Sequence, residues 1–235
     1  MDFTGSMKTP QKRGEEGERG REPGTAAEAL IIFATLPRPG DVKKRLAREI
    51  GGQPAATVYN DLALHTFRIG QEALETGWSV NLFYDPKVKE EEVREWVRRE
   101  FHFAAERGGE PGERIHYAFD YTFHRRAGKA IIISSDIPGL EFSLLEEAAE
   151  KLDTGDVVIG PASDGGCYLI GMKPPTKGIF RGLPWGTSNV FREASERVHR
   201  LGLKQSNLPR LSDVDTAEAY RSYLLKKMKS QRESR

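Results

Sequence analysis

The segment Ala130–Leu140, AIIISSDIPGL, most constrains what this chain can fold into. Three consecutive isoleucines after an alanine predict a strand buried on both faces, as in a sheet covered by helices. The apolar run stops at Ser134-Ser135, a lone carboxylate follows at Asp136, and Pro138-Gly139 turns the chain. In an open α/β sheet the carboxyl ends of the strands are where ligands bind. Asp136 therefore has two readings. It caps the next turn, or it holds a metal ion or a ribose hydroxyl.

Other segments repeat the pattern. Ala29–Ala34 (ALIIFA), Ser79–Tyr84 (SVNLFY) and Asp156–Ile159 (DVVI) are predicted strands, with shorter ones at Phe101–Ala105, Cys167–Ile170 and Leu208–Leu211. Helical spacing of apolar residues predicts helices over Pro54–Glu75, Glu90–Arg99, Glu113–Arg126, Phe142–Leu152, Asn189–Arg200 and Ala217–Lys227. Residues 1–27 carry Gly, Glu, Lys and Arg and almost no large apolar side chains, so a disordered tail is expected there. Its first six residues, MDFTGS ahead of Met7, read as an appended leader. Residues 28–228 are expected to form one domain, and 229–235, within KKMKSQRESR, a frayed end.

Charge narrows the function. Lys and Arg total 36 against 35 Asp and Glu, a net +1, which argues against coating nucleic acid or lying on a membrane surface. The single cysteine, Cys167, excludes an intrachain disulfide and points to a reducing, cytoplasmic setting. No apolar run is long enough for a membrane span, and no secretory leader is visible. The P-loop signature and the GxGxxG fingerprint are both absent. His116 and His124 lack metal-ligand spacing and read as surface or packing residues.

Three loops carry the chemistry. In Thr35–Ala47, TLPRPGDVKKRLA, Pro37, Pro39 and Gly40 make a tight connection, and Asp41 is the expected helix N-cap. Lys43, Lys44 and Arg45 then fall in a first helical turn, where the helix dipole disfavours cations. Three cations there make sense if an anion binds, so the loop is a candidate phosphate cradle. In Gly160–Gly171, GPASDGGCYLIG, glycines flank Asp164 and give a backbone that can approach a ligand closely. Asp215 precedes the last helix and, with Glu218, also fits a capping pattern. Lys173–Pro184 is a proline-containing loop, read as a flap over the site.

Taken in order, LPRPGDVKKRLA, SSDIPGL, GPASDGGCYLIG, WGTSNV and SDVDT resemble a glycosyltransferase-like family with a GT-A-type fold, related to phospholactate guanylyltransferase and the molybdenum-cofactor guanylyltransferases. The resemblance runs from about Ala29 to Tyr220. It implies a three-layer α/β/α domain with a mixed, mainly parallel sheet, of the nucleotide-diphospho-sugar transferase type. It implies that Leu36, Pro37, Arg38, Pro39, Gly40, Lys43 and Arg45 wrap the nucleotide phosphates, with Lys43, Arg45 and Asp136 as the catalytic set. Asp136 and Asp215 match metal positions for Mg²⁺ or Mn²⁺, and Asp164, Gly165 and Gly166 would lie beside the acceptor or sugar. Two residues depart from the family pattern: Lys44 stands where threonine is usual, and Cys167 where tyrosine is usual. The expected activity is a metal-dependent, nucleotide-utilising transfer to a small-molecule acceptor. The nucleotide is a nucleoside triphosphate or a nucleotide sugar, and no nucleic acid or membrane takes part. Nucleotidyl transfer to a phosphorylated small molecule is favoured slightly over glycosyl transfer. A non-catalytic nucleotide-binding protein is the rival from another class.

Overall fold

A computed structural model describes residues 27–174 and 178–233, with side chains as far as Leu225. The expected N-terminal tail lies outside the described residues, except for Ala27.

Among the described residues, seven strands and seven helices follow one another: β1 Glu28–Ala34, α1 Lys44–Ile50, α2 Gly52–Glu75, β2 Ser79–Tyr84, α3 Glu90–Val97, β3 His102–Ala105, α4 Pro111–His124, β4 Lys129–Ile133, α5 Phe142–Thr154, β5 Val157–Pro161, β6 Cys167–Met172, α6 Val190–Arg200, β7 Gln205–Asn207 and α7 Ala217–Glu233. The strands form one sheet in the order β3-β2-β1-β4-β6-β5-β7. All pairings are parallel except those of β6, which runs antiparallel to both β4 and β5. The sheet is therefore mixed and mainly parallel, as expected.

Alternation along the strands divides the core into two faces. From β1, Leu30, Ile32 and Ala34 face α2, α3 and α5, meeting Ala63, Phe67, Val93 and Leu145. Ala29 and Ile31 face α4 and α6, meeting Ala118, Phe119, Ala194 and Val198. Burial on both faces is why β1 and β4 read as unbroken apolar runs. A third, smaller cluster of Leu46, Ala55, Val58, Leu62 and Val214 ties α1, α2 and the segment before α7 together.

Three local expectations are corrected. Asp41 does not cap α1: the helix starts at Lys44, and the capping position is Lys43, held in the left-handed region at φ 46, ψ 47 with no side-chain cap. The last strand is Gln205–Asn207 rather than Leu208–Leu211, of which Leu211 makes only an isolated bridge to Ala162. Three polar residues on a sheet edge give no apolar signal, whereas Leu208 is buried just beyond them. The last helix runs on through Glu233, past the expected end at Lys227.

β1 lies between β2 on one side and β4 on the other. The chain leaves β1 for β2 through α1 and α2, and β4 is added at the opposite edge. The carboxyl ends of β1 and β4 therefore flank a topological switch point, the place where open α/β sheets bind ligands.

Candidate functional site

Two loops meet at that switch point. One leaves β1 and carries Leu36–Lys43; the other leaves β4 and carries Ser134–Asp136. The side chain of Lys43 turns inward, and its Nζ donates to Asp136 Oδ2 at 2.9 Å and to Asp215 Oδ1 at 2.7 Å. The lysine side chain is 4% exposed, against 28% for Asp136 and 41% for Asp215. This contact explains the left-handed backbone at Lys43. A non-glycine residue there costs about 1–2 kcal/mol, and two ion pairs with a buried ammonium offset it.

The local contacts argue against the capping reading of both carboxylates. Asp136 accepts hydrogen bonds from Lys43 and from Ser134 Oγ, so its oxygens are taken by side chains and not by a turn. Asp215 is not the cap of α7. Thr216 does that work: its Oγ1 accepts from the Ala219 amide, and Glu49 accepts from the Ala217 amide. Asp215 is left for Lys43. Asp213 stands close by, and burial, then Asp164, Asp215 and Asp136, push its carboxyl above the ordinary range.

For Lys43, burial alone would favour the neutral amine. Asp136 and Asp215 outweigh it, and the net pKa lies above the ordinary 10.5. The ammonium's contribution to stability is therefore complete below pH ~10 and is lost as pH rises through the elevated folded value. The gap in thermal midpoint between the wild type and Lys43→Met should stay constant from pH 7 to about 10 and shrink above it. A gap that closes near neutrality would contradict this assignment of charge.

Tyr59 lies on α2, within the apolar spacing that predicts that helix. Its hydroxyl accepts the Thr35 amide at 3.0 Å, just after β1. Ser135 Oγ, just after β4, lies 3.5 Å from the same oxygen. Its ring stacks on Trp96, whose Nε1 donates to Asn60 Oδ1 at 2.8 Å. Tyr59 thus pins the ends of both strands that flank the switch point. Tyr59→Phe strands the Thr35 amide and should lower stability by about 1–3 kcal/mol, read as a lower urea midpoint at unchanged slope.

The other expected site residues are placed as follows. Leu36 packs against the larger core, whereas Pro39 and Gly40 are exposed. Arg38 pairs with Glu92 at 2.7 Å, and Arg45 is exposed at the start of α1. Of the three clustered cations, then, Lys43 faces the carboxylates while Lys44 and Arg45 face outward. Asp164 Oδ1 accepts the Gly166 amide at 2.8 Å. The glycines of this second loop have packing reasons. A Cβ on Gly160 would enter the Tyr168 ring at 2.4 Å, and one on Gly165 would meet the Ser188 carbonyl oxygen at 2.1 Å. Cys167 is largely covered, and burial, then Asp164, push its thiol up to about 12, which removes it as a nucleophile at neutral pH. Pro138-Gly139 and Asp213 also border a cavity of about 930 Å³ between α2 and α7, lined in part by Arg68 and Arg210.

Among the described residues, no group of three or more His, Cys, Asp or Glu side chains is set to hold a metal by itself. The pair of carboxylates nevertheless suits a hard divalent ion. Mg²⁺ is commonly held by one or two carboxylates together with water and substrate phosphates, and Asp136 and Asp215 already converge on one cation. Also among the described residues, no helix is long and apolar enough to cross a membrane.

Comparison with known proteins places this geometry in context. A family model described as uncharacterised proteins conserved in bacteria, DUF2064, matches residues 69–187. The crystal structure of a candidate nucleotide-diphospho-sugar transferase from Desulfovibrio desulfuricans G20 is 30% identical, with a TM-score of 0.75, covering 82% of this chain and 84% of that one. A CMP:2-keto-3-deoxy-manno-octonic acid synthetase complexed with CTP is 13% identical, with a TM-score of 0.53, covering 87% of this chain and 100% of that one. A nucleotidyl transferase from Methanothermobacter is 13% identical, with a TM-score of 0.54 and coverage of 85% and 99%. The last two share the fold. None of the curated proteins compared matches the sequence. The architecture is that of the nucleotide-diphospho-sugar transferases, as the motifs implied. With its model matching half of the chain, residues 69–187, the DUF2064 family, described as uncharacterised proteins conserved in bacteria, is the family to which the protein belongs.

Proposed function

We propose that the protein is a metal-assisted transferase that binds a nucleotide across the ends of β1 and β4 and passes part of it to a small-molecule acceptor. The observation that carries this reading is the convergence of Lys43, Asp136 and Asp215 at the switch point, where ligands bind in this class of sheet. The loop Leu36–Gly40 lies alongside and would wrap the phosphates, with Lys43 and Arg45 supplying positive charge. Asp136 and Asp215 would hold Mg²⁺ or Mn²⁺. When bound, such an ion neutralises phosphate charge and eases departure of the leaving group.

The chain's own residues do the rest by position. Ser134 donates to Asp136 and keeps one carboxylate oxygen fixed. Tyr59 keeps the two strand ends at a constant separation. Lys43 and Arg45 stabilise charge developing on phosphoryl oxygens. Positioning and electrostatics suffice for such a transfer, without a covalent enzyme intermediate. Asp164–Gly166 would border the acceptor or sugar.

Nucleotidyl transfer to a phosphorylated acceptor is favoured, because a cation-rich loop suits the larger charge of a triphosphate. The kinship to guanylyltransferases implied by the motifs belongs to this reading. Transfer from a nucleotide sugar is the second reading, favoured by the description of the Desulfovibrio relative. The deciding experiment incubates the protein with Mg²⁺ or Mn²⁺, nucleoside triphosphates, nucleotide sugars and a pool of phosphorylated small molecules. Acceptor-dependent pyrophosphate supports nucleotidyl transfer. Acceptor-dependent nucleoside diphosphate from a nucleotide sugar supports glycosyl transfer. Specific nucleotide binding without turnover across the pool would mark a non-catalytic binding protein.

A further inference from the structure

We propose that Lys43 is a tethered cation that fills the place of the divalent ion until the nucleotide arrives, so that metal enters the site with the nucleotide and not before it. The inference rests on the reading of Asp136 and Asp215 as the metal's ligands.

Three observations carry it. The first is geometric: one ammonium lies within hydrogen-bond distance of both carboxylates, at 2.9 and 2.7 Å. The ammonium thus occupies the space between the two carboxylates that would hold an ion. The second is the backbone. Lys43 sits between Val42, 6% exposed, and Leu46, fully buried, and its carbonyl accepts the Ala47 amide at 2.8 Å. The stem is thus anchored at its root, while its four methylenes give the head rotatable bonds through which it can reach another acceptor. The left-handed φ of 46° aims that stem at the carboxylates. Strain of this kind persists where surroundings over-determine it, and it clusters at sites that switch. The third is electrostatic. With the ammonium in place, a divalent ion meets two carboxylates already partly neutralised, and a like charge at their centre.

A triphosphate changes this balance. Its oxygens offer the ammonium new acceptors on the neighbouring Leu36–Gly40 loop, and it brings the ion with it. Departure of Lys43 frees Asp136 and Asp215 at the moment the metal is delivered. Linkage then requires metal and phosphate to raise each other's affinity by the same factor. Phosphate bound directly to the ion also couples the two, so the share that belongs to Lys43 is the share that Lys43→Met removes.

The test reads manganese binding, not turnover. Wild-type protein, Lys43→Met, Lys43→Arg and Asp136→Asn are titrated with manganese(II) chloride. Protein-bound metal is followed by electron paramagnetic resonance, with and without inorganic tripolyphosphate, and circular dichroism verifies the folded state. Lys43→Met should bind manganese alone about tenfold or more tightly than the wild type, within the usual range of site–site coupling. Lys43→Arg, which keeps the charge, should bind it as weakly as the wild type, and Asp136→Asn should abolish the gain when combined with Lys43→Met. Tripolyphosphate should raise manganese affinity in the wild type and much less in Lys43→Met. The wild-type comparison alone stands if Lys43→Met does not fold. Equal manganese affinity in the wild type and Lys43→Met, or a wild type indifferent to tripolyphosphate, would overturn the gate while leaving the transferase reading intact. Manganese bound by none of the proteins, even with tripolyphosphate, would overturn both.

Discussion

Asp136→Asn should lower acceptor-dependent turnover by about 10²–10³-fold, the scale seen when one preorganised electrostatic group is removed from an active site. The substitution keeps the side chain's shape and removes its charge. Asp136 is partly exposed, and its contacts are with the side chains of Lys43 and Ser134. Lys43 keeps Asp215 as a partner in the variant. The thermal midpoint should therefore move by only a few degrees, since a partly solvated ion pair contributes roughly 1 kcal/mol or less. Turnover and nucleotide-linked metal binding should fall together while the melting curve barely changes. A variant that retains wild-type metal dependence would return Asp136 to a structural role.

Gly165→Ala should produce the largest stability loss of any single methyl group added near the site. Gly165 has a φ of +90°, where an L side chain is strained, and its Cβ would lie 2.1 Å from the Ser188 carbonyl oxygen. That oxygen belongs to the backbone and cannot rotate away. The Gly165 carbonyl also accepts the Phe191 amide at 3.0 Å, so the loop cannot shift without loosening the start of α6. Left-handed strain and overpacking together cost roughly 2–5 kcal/mol, about 5–15 °C in a domain of this size. Gly40, whose Cβ would meet nothing within 4 Å, provides the contrast. Gly40→Ala carries only the strain of its φ of +90° and should lose visibly less. Calorimetry of the two variants side by side separates packing from conformation.

The strands were legible because burial on both faces leaves no polar residue to interrupt them: β1, β4 and β5 each carry an unbroken apolar run. The position of Asp136 followed from the same rule, since the end of a doubly buried strand is where the first carboxylate can reach solvent. Lys43 was not legible in its true setting. Local rules of helix initiation put it in a first turn beside Lys44 and Arg45. Two carboxylates 93 and 172 residues further on decide its backbone instead. Long-range charge of this kind leaves no periodicity to read. The same holds for Thr216, which took the capping role expected of Asp215, and for Tyr59, where one hydroxyl in an apolar stripe looks like packing. The glycines of the second loop were visible, but their cause was not. A Cβ on Gly160 would stand in the Tyr168 ring, and one on Gly165 against the Ser188 carbonyl.

The most direct measurement is a crystal structure of the protein grown with manganese(II) chloride and a nucleoside triphosphate, with data collected at the manganese absorption edge. The expected result is an anomalous peak coordinated by Asp136 and Asp215, the triphosphate lying along Leu36–Gly40, and Lys43 Nζ moved from the carboxylates to phosphate oxygens. A triphosphate bound elsewhere, or Lys43 still held between Asp136 and Asp215 with the metal at another place, would contradict it.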